Sequence, residues 1–229
     1  VYKRQEQRRL VEDAGHELRT PLTSLRTNLD TLRRHPDLDD DDRAAIIADL
    51  HAETDELTAL VNEIVVATSG GPDEDVPSVV ALDEIARQIA ERGSRRFERG
   101  IDVVGVQGDR ATLVANGAGL QRALSCLVDN AVKFDPSDAP ITIELADAVG
   151  PDGARRLTVT VLDRGPGIDP DDRSAVFERF ARAESARAMP GSGLGLAIVA
   201  EVARRHDGGV VVDDRPGGGA AVGFWLPVR

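Results

Sequence analysis

An α+β architecture follows from three features of this 229-residue chain. Residues 1–69 place apolar side chains at heptad spacing, the period of helices that pack along one seam. A break rich in Gly, Pro and acid, GGPDEDVPS, occupies 70–78 and reads as a hinge-like linker. Beyond it, short β-branched runs alternate with helical stretches, but without strict strand–helix–strand regularity. A two-layer α/β sandwich is therefore expected over a doubly wound sheet. The expected domains are a helical hairpin over 1–69, a linker over 70–78 and the sandwich over 79–229.

The first helix is read from Val11, Ala14, Leu18, Leu22, Leu25, Leu29 and Leu32, spaced 3, 4, 4, 3, 4 and 3. That is a heptad seam with one extra four-residue step, placed at Pro21. A proline there removes the hydrogen bond to residue 17 and is expected to bend the helix. The second helix carries Ile47, Leu50, Thr54, Leu57, Val61, Ile64 and Thr68 in unbroken 3-4 alternation. The connection, about 35–42, holds Pro36 and a run of aspartates, which suit the positive end of a helix dipole. Two such helices form an antiparallel hairpin that cannot bury its own seam, so dimerisation into a four-helix bundle is expected.

In the sandwich, 82–97 reads as helix and 101–106 and 112–115 as short strands. A helix over 119–134 ends at Asp135-Pro136. Strands are expected at 141–145 and 157–162, with β-branched alternation. Residues 165–193 read as loop with a short helix around 174–180. A helix over 194–205 and strands near 210–212 and 222–226 complete the chain.

Composition narrows the function classes. The formal net charge is −12 and aromatic residues make up 3%, so neither the basic footprint nor the stacking platforms of a nucleic-acid binder are present. No stretch approaches the roughly 20 apolar residues that span a bilayer, so no membrane contact is expected of this segment. The start, VYKRQEQRRL, is polar and unlike a signal peptide. It begins without Met on sequence already helical in character, so a piece of a longer protein is expected. The single cysteine, Cys126, makes neither an internal disulfide nor a Cys-ligated zinc site, and a reducing compartment is the default.

Four segments can carry chemistry. In AGHELRTPL, His16 points about 170° from the mean direction of the apolar stripe, one turn from Thr20 on the same face. An exposed histidine is common on a helix. A neutral imidazole is also a competent nucleophile, and Glu17 beside it can orient or deprotonate one ring nitrogen. In LVDNAVKFDP, Asn130 and Lys133 lie off the apolar side of their helix, where an amide oxygen and an ammonium suit a magnesium–polyphosphate pair. A lysine is equally at home at any helix C-terminus. In DRGPGI, Asp163 ends a strand and Gly165 and Gly167 let a ligand approach the backbone; a plain turn would look similar. In GSGLGLAIV, a Gly-rich loop enters an apolar helix, an arrangement of free N–H groups and positive helix end that cradles anions. No strand precedes it, so it is not a dinucleotide fingerprint.

Taken in order, these segments resemble the sensor histidine kinases of two-component signalling, over nearly the whole chain, with an actinobacterial envelope-stress subgroup the nearest. His16-Glu17-Leu18-Arg19-Thr20-Pro21 resembles the H box of a HisKA-type domain, Asn130 and Lys133 the N box, and Asp163 to Gly167 the G1 box. Phe177-Glu178-Arg179-Phe180 resembles the F box, and Gly191-Ser192-Gly193-Leu194-Gly195 the G2 box. The resemblance implies a Bergerat (GHKL) ATP-binding domain with ATP and Mg2+ as cofactors. It implies a homodimer through 1–69, a membrane-spanning sensor upstream, and a response regulator that accepts the phosphoryl group on an aspartate.

The resemblance also implies residue roles. His16 is the phosphoacceptor, assisted by Glu17. Thr20 orients a water when the same enzyme dephosphorylates its partner. Asp163 accepts a hydrogen bond from the adenine amino group, Asn130 holds Mg2+, and Lys133 with the backbone of 191–195 offsets phosphate charge. Gly165, Gly167, Arg179, Phe180 and Gly191 complete the nucleotide site. Three positions depart from the pattern: Cys126 stands where the N box has its first Asn, Arg164 replaces a common Asn, and Ala220 replaces a usual Ser or Thr. Two other readings stand beside this one. The chain is either a dimer scaffold that has lost catalysis or an ATPase of the gyrase or chaperone type, although the latter has no need of an exposed His-Glu pair on a helical hairpin. His35, His51 and His206 read as loop, helix exterior and helix C-terminus, with no metal-ligand spacing among them.

Overall fold

The structure is a computed structural model that describes residues 2–68, 77–151, 153–179, 181 and 193–228, with the backbone alone described for 2–14, 16, 17, 20 and much of 52–68. It separates into two compact units, one helical and one α/β.

The helical unit is a pair, α1 (Tyr2–Arg34) and α2 (Asp40–Thr68). α1 continues through Pro21, which is buried. The junction is built from local hydrogen bonds. Asp39 accepts at Oδ1 from the Asp42 backbone N–H at 2.8 Å, an N-cap bond, and Arg43 donates to the Pro36 carbonyl at 3.0 Å. Asp40, Asp41 and Asp42 fill the first turn of α2, and Arg33 and Arg34 the last turn of α1, so both sets of charges complement the helix dipoles. Within this pair Leu18, Leu25, Leu32, Leu50 and Leu57 are half-buried. Leu22, Leu29, Ile47 and Val61 remain between 42% and 57% exposed.

The α/β unit holds a five-stranded mixed sheet in the order β2-β4-β5-β7-β6 and a separate β1-β3 ladder. Its strands are β1 (Ser78–Ala81), β2 (Ile101–Gly105), β3 (Thr112–Ala115), β4 (Ile141–Val149), β5 (Arg155–Leu162), β6 (Gly209–Asp214) and β7 (Ala220–Pro227). Among the described residues only β2 and β4 pair in parallel; the other ladders are antiparallel. Alternation decides the layers. Ile141, Ile143 and Leu145 of β4, Leu157, Val159 and Val161 of β5, and Val222, Phe224 and Leu226 of β7 are buried. They meet α3 (Leu82–Phe97), α4 (Gly117–Phe134) and α5 (Gly195–Arg205), the helical layer. The opposite face carries Thr158, Thr160 and Trp225, all half-buried. This is the expected two-layer α/β sandwich.

The differences from expectation are local. Ser78, placed in the linker by composition, is the first residue of β1, whose partner β3 supplies the hydrogen bonds that four residues alone cannot. β4 and β5 are longer than their apolar runs because their ladder extends to Val149↔Arg155, where Gly150 donates to Ala154 at 2.8 Å and closes the hairpin. The short helix expected around 174–180 is a single 3-10 turn, Ala175–Phe177. His206 caps the C-terminus of α5 as expected, and the fold adds contacts that no local pattern showed. Its Nδ1 lies 2.7 Å from the Val202 carbonyl and its Nε2 accepts from the Asn116 backbone N–H at 2.9 Å. Both ring nitrogens are used, in the neutral Nδ1–H form.

Candidate functional site

The helix α4 positions the first group. Asn116 caps it, accepting from the Gly119 N–H at 2.8 Å, and Leu120, Ala123, Leu124, Leu127, Val128 and Ala131 bury its apolar face. Asn130 and Lys133 are half-buried on its last turns, and the Lys133 ammonium sits 4.8 Å from the Phe134 ring centroid. One turn before Asn130, Cys126 is half-buried. A Cβ built on Gly195 would lie 3.8 Å from the Cys126 Cβ, so the start of α5 stands directly beside the Asn130 side of α4. Leu194, the N-cap, makes no side-chain capping bond, and the start of α5 is the positive end of its helix dipole. Leu194 itself is buried. Gly193 holds φ +74°, a left-handed turn suited to glycine.

Asp163 follows β5 and is only 4% exposed. Its Oδ1 accepts from the Gly165 N–H at 2.8 Å and the Ala220 N–H at 3.1 Å. Its own N–H donates to the Ala220 carbonyl at 3.1 Å. Among the described residues Oδ2 has no hydrogen-bond partner, so the side chain offers one open acceptor from a desolvated position. Burial pushes its pKa up, opposed by the Gly165 and Ala220 N–H groups and raised further by the charge of Asp135, while Arg215 pulls it down. Ala220 serves Asp163 through its backbone, so these two bonds need no hydroxyl at that position. Arg164 is exposed and likewise acts through its N–H, which Asp135 Oδ2 accepts at 2.8 Å.

Glycines let the pieces close up. At Gly165 a Cβ would come within 2.6 Å of the Phe134 carbonyl oxygen, so the turn after Asp163 packs onto the end of α4. At Gly219, φ is +105° and a Cβ would overlap the Asp163 carbonyl. At Gly167, φ is +80° and a Cβ would lie 3.5 Å from the Gly219 carbonyl oxygen. The structure therefore brings together Asn130, Lys133, Asp163, Gly165, Gly167, Leu194 and Gly195, with Gly193 leading into the last two. Arg179 is exposed after the 3-10 turn. Phe180 and Gly191 lie outside the described residues. His16, Glu17 and Thr20 lie in α1, but their side chains, and with them the outward projection of the imidazole, lie outside the described residues.

Sequence reasoning missed Asp135, Arg99 and His206. Asp135 was read only as a helix stop. The one available signal was an acid rather than an ordinary capping residue ahead of Pro136. The Arg99 and His206 contacts span 36 and 90 residues and leave no local pattern.

Comparison with known proteins agrees with this geometry. Residues 115–229 match the family described as histidine kinase-, DNA gyrase B-, and HSP90-like ATPase. Residues 6–69 match the His Kinase A (phospho-acceptor) domain. The signal transduction histidine-protein kinase/phosphatase MprB of Mycolicibacterium smegmatis is 41% identical over 98% of this chain and 46% of its own length. The Mycobacterium ulcerans protein of the same name is 42% identical over 99% of this chain and 45% of its own. The chain thus spans about half the length of these curated relatives. A solved mycobacterial sensor histidine kinase MprB domain is 34% identical, with a TM-score of 0.57, over 67% of this chain and 99% of that one. Full-length ShkA in complex with AMPPNP is 27% identical, with a TM-score of 0.59, over 97% of this chain and 46% of that one. With a phospho-acceptor helical pair ahead of this ATPase unit, the chain belongs to the histidine kinases of two-component signalling.

Proposed function

We propose that this chain is the kinase core of a two-component sensor, which phosphorylates His16 from Mg-ATP and passes the phosphoryl group to an aspartate of a response regulator. The observation that carries the reading is Asp163, a buried carboxylate whose two side-chain hydrogen bonds among the described residues fall on one oxygen, leaving the other to a donor such as an adenine amino group. The α5 N-terminus and Lys133 supply positive charge for a polyphosphate. Arg179, Phe180 and Gly191 complete the nucleotide site.

Mg2+ fits this donor set. It keeps several waters, takes few protein ligands and rides with substrate phosphates, and Asn130 offers a half-buried amide oxygen beside the cradle. Bound there, it would neutralise charge on the phosphate oxygens.

Residues 1–69 act as the dimerising phosphoacceptor, 70–78 as the hinge and 79–229 as the nucleotide-binding domain. A neutral His16 nitrogen attacks the γ-phosphorus, the P–N bond forms, the bond to the β-bridging oxygen breaks and ADP leaves. Glu17 holds the proton of the other ring nitrogen. Positioning and charge stabilisation supply the rate, since phosphoryl transfer asks little covalent chemistry of the protein. Thr20 places the water when the phosphorylated regulator is hydrolysed. The protein is a homodimer, a reading supported by the exposed Leu22, Leu29, Ile47 and Val61 on the helical pair. No helix among the described residues is long and apolar enough to cross a membrane; the segment is proposed to be the cytoplasmic part of a sensor held in the bacterial cell membrane.

The test is labelling with Mg-ATP. The wild-type chain gains acid-labile, base-stable phosphate. His16→Gln abolishes that label while ATP still binds, and Asn130→Ala abolishes it without unfolding the chain. Acid-stable phosphate, or label surviving in His16→Gln, contradicts the assignment.

A further inference from the structure

Asp135 closes α4 with a side chain that is 0% exposed and bonded on every side. Its Oδ1 accepts from the Ser137 N–H at 2.9 Å and the Ser137 hydroxyl at 2.6 Å. Its Oδ2 accepts from the Arg164 N–H at 2.8 Å and pairs with Arg99 Nη2 at 2.7 Å. Arg99, 9% exposed, is itself spent on the same segment. Its Nη1 donates to the Asp135 carbonyl at 3.0 Å, and Nε and Nη2 donate to the Ala139 carbonyl at 2.8 and 2.6 Å. One carboxylate thus ties the end of the helix carrying Asn130 and Lys133 to the peptide directly after Asp163.

We propose that Asp135 is a positioning residue for nucleotide binding: it fixes the Asp163 turn against the end of α4, setting the separation between the base anchor and the phosphate-side groups. The proposal rests on the reading of Asp163 as the base anchor. A buried ion pair is a weak device for stability, because desolvation cancels most of its attraction, but it is a strong one for register. A neutral hydroxyl here would not hold both Arg99 and the Arg164 N–H. The second consequence is electrostatic. Asp163 is faced by the Asp135 anion from the end of α4 and by the Arg215 cation from the β6–β7 turn, with Arg99 beyond Asp135. Removing the Asp135 charge therefore makes Asp163 easier to ionise.

The test uses the full chain, with autophosphorylation kinetics and ADP titration across pH. In Asp135→Asn, the KM for ATP is expected to rise about tenfold, a loss of roughly 1.4 kcal/mol. kcat should stay within about threefold, and the acid limb of ADP binding should move to lower pH. Asp135→Asn leaves Arg99 without its counter-charge and risks unfolding. The double variant Arg99→Met/Asp135→Leu removes both charges, restores folding and is expected to keep the raised KM. An unchanged KM in the folded double variant, or an acid limb that stays in place in folded Asp135→Asn, overturns the proposal. Asp163→Asn separates the two levels. If it binds ADP as the wild type does, the base-anchor reading fails. If it loses ADP while the Asp135 variants do not, only the positioning role fails.

Discussion

Asp163 is held in the site against its own solvation. A carboxylate whose pKa is raised by burial costs stability in its ionised form, so its stabilising contribution is complete below its unfolded pKa. That contribution is lost as pH rises through its higher folded pKa. Asp163→Asn is isosteric and keeps an oxygen for the Gly165 and Ala220 N–H groups while removing the buried charge. The empty chain is therefore expected to melt at the same temperature or higher, while ATP affinity falls about 10- to 100-fold because an amide donor now meets the base amino group. Thermal melts with and without Mg-ATP check both halves. Asp135 shows the opposite sign. Burial opposes its charge, but the Ser137 and Arg164 donors and Arg99 outweigh that and hold its pKa down to about 2. Its stabilisation is complete above about pH 4 and is lost as pH falls through about 2. The two carboxylates also differ in how visible they are in sequence. Asp163 announces itself through the glycines at 165 and 167, which the close approach to Phe134 and the φ of +80° at Gly167 require. Asp135 acquires its role from Arg99 and Arg164, brought beside it only by the fold.

At the scale of elements, the site is the meeting of two helix ends and one strand end. α4 is pinned at its start by Asn116, which caps with its side chain and donates its backbone N–H to His206 at the end of α5. Asn116→Ala removes the cap, and equilibrium urea unfolding is expected to show a loss of about 1 kcal/mol with little change in ATP binding. His206→Leu breaks the link between α4 and α5 and leaves the Asn116 N–H without its acceptor. Its expected cost is about 1–3 kcal/mol by the same measurement. The helices and the long strands were plain from apolar periodicity, because each buries one face. β1 was not, since a four-residue strand following Pro77 carries too few positions for alternation to register. The 3-10 turn at 175–177 was overread as helix because Val176 and Phe177 provide an apolar pair without a second turn to support it.

At the scale of the whole molecule, the described positions of the heptad seam predicted for residues 1–69 divide into half-buried ones, such as Leu18 and Leu25, and exposed ones, such as Leu22 and Leu29. Leu22 and Leu29 are one heptad apart on α1, and Ile47 and Val61 two heptads apart on α2, the spacing of a face that a second hairpin covers. Leu22→Glu/Leu29→Glu is expected to shift the chain from dimer to monomer in sedimentation equilibrium, with ADP binding to the α/β unit unchanged within about twofold. A dimer that survives both charges contradicts the four-helix bundle. The most direct test of the whole account is to incubate the chain with Mg-ATP, digest it at alkaline pH and locate the phosphate by mass spectrometry. The account predicts a phosphoryl group on the peptide containing residues 15–19, carried by His16 and absent when Asp163 is Asn. Phosphate on a serine or threonine, or none on His16 despite measurable ATP binding, contradicts it.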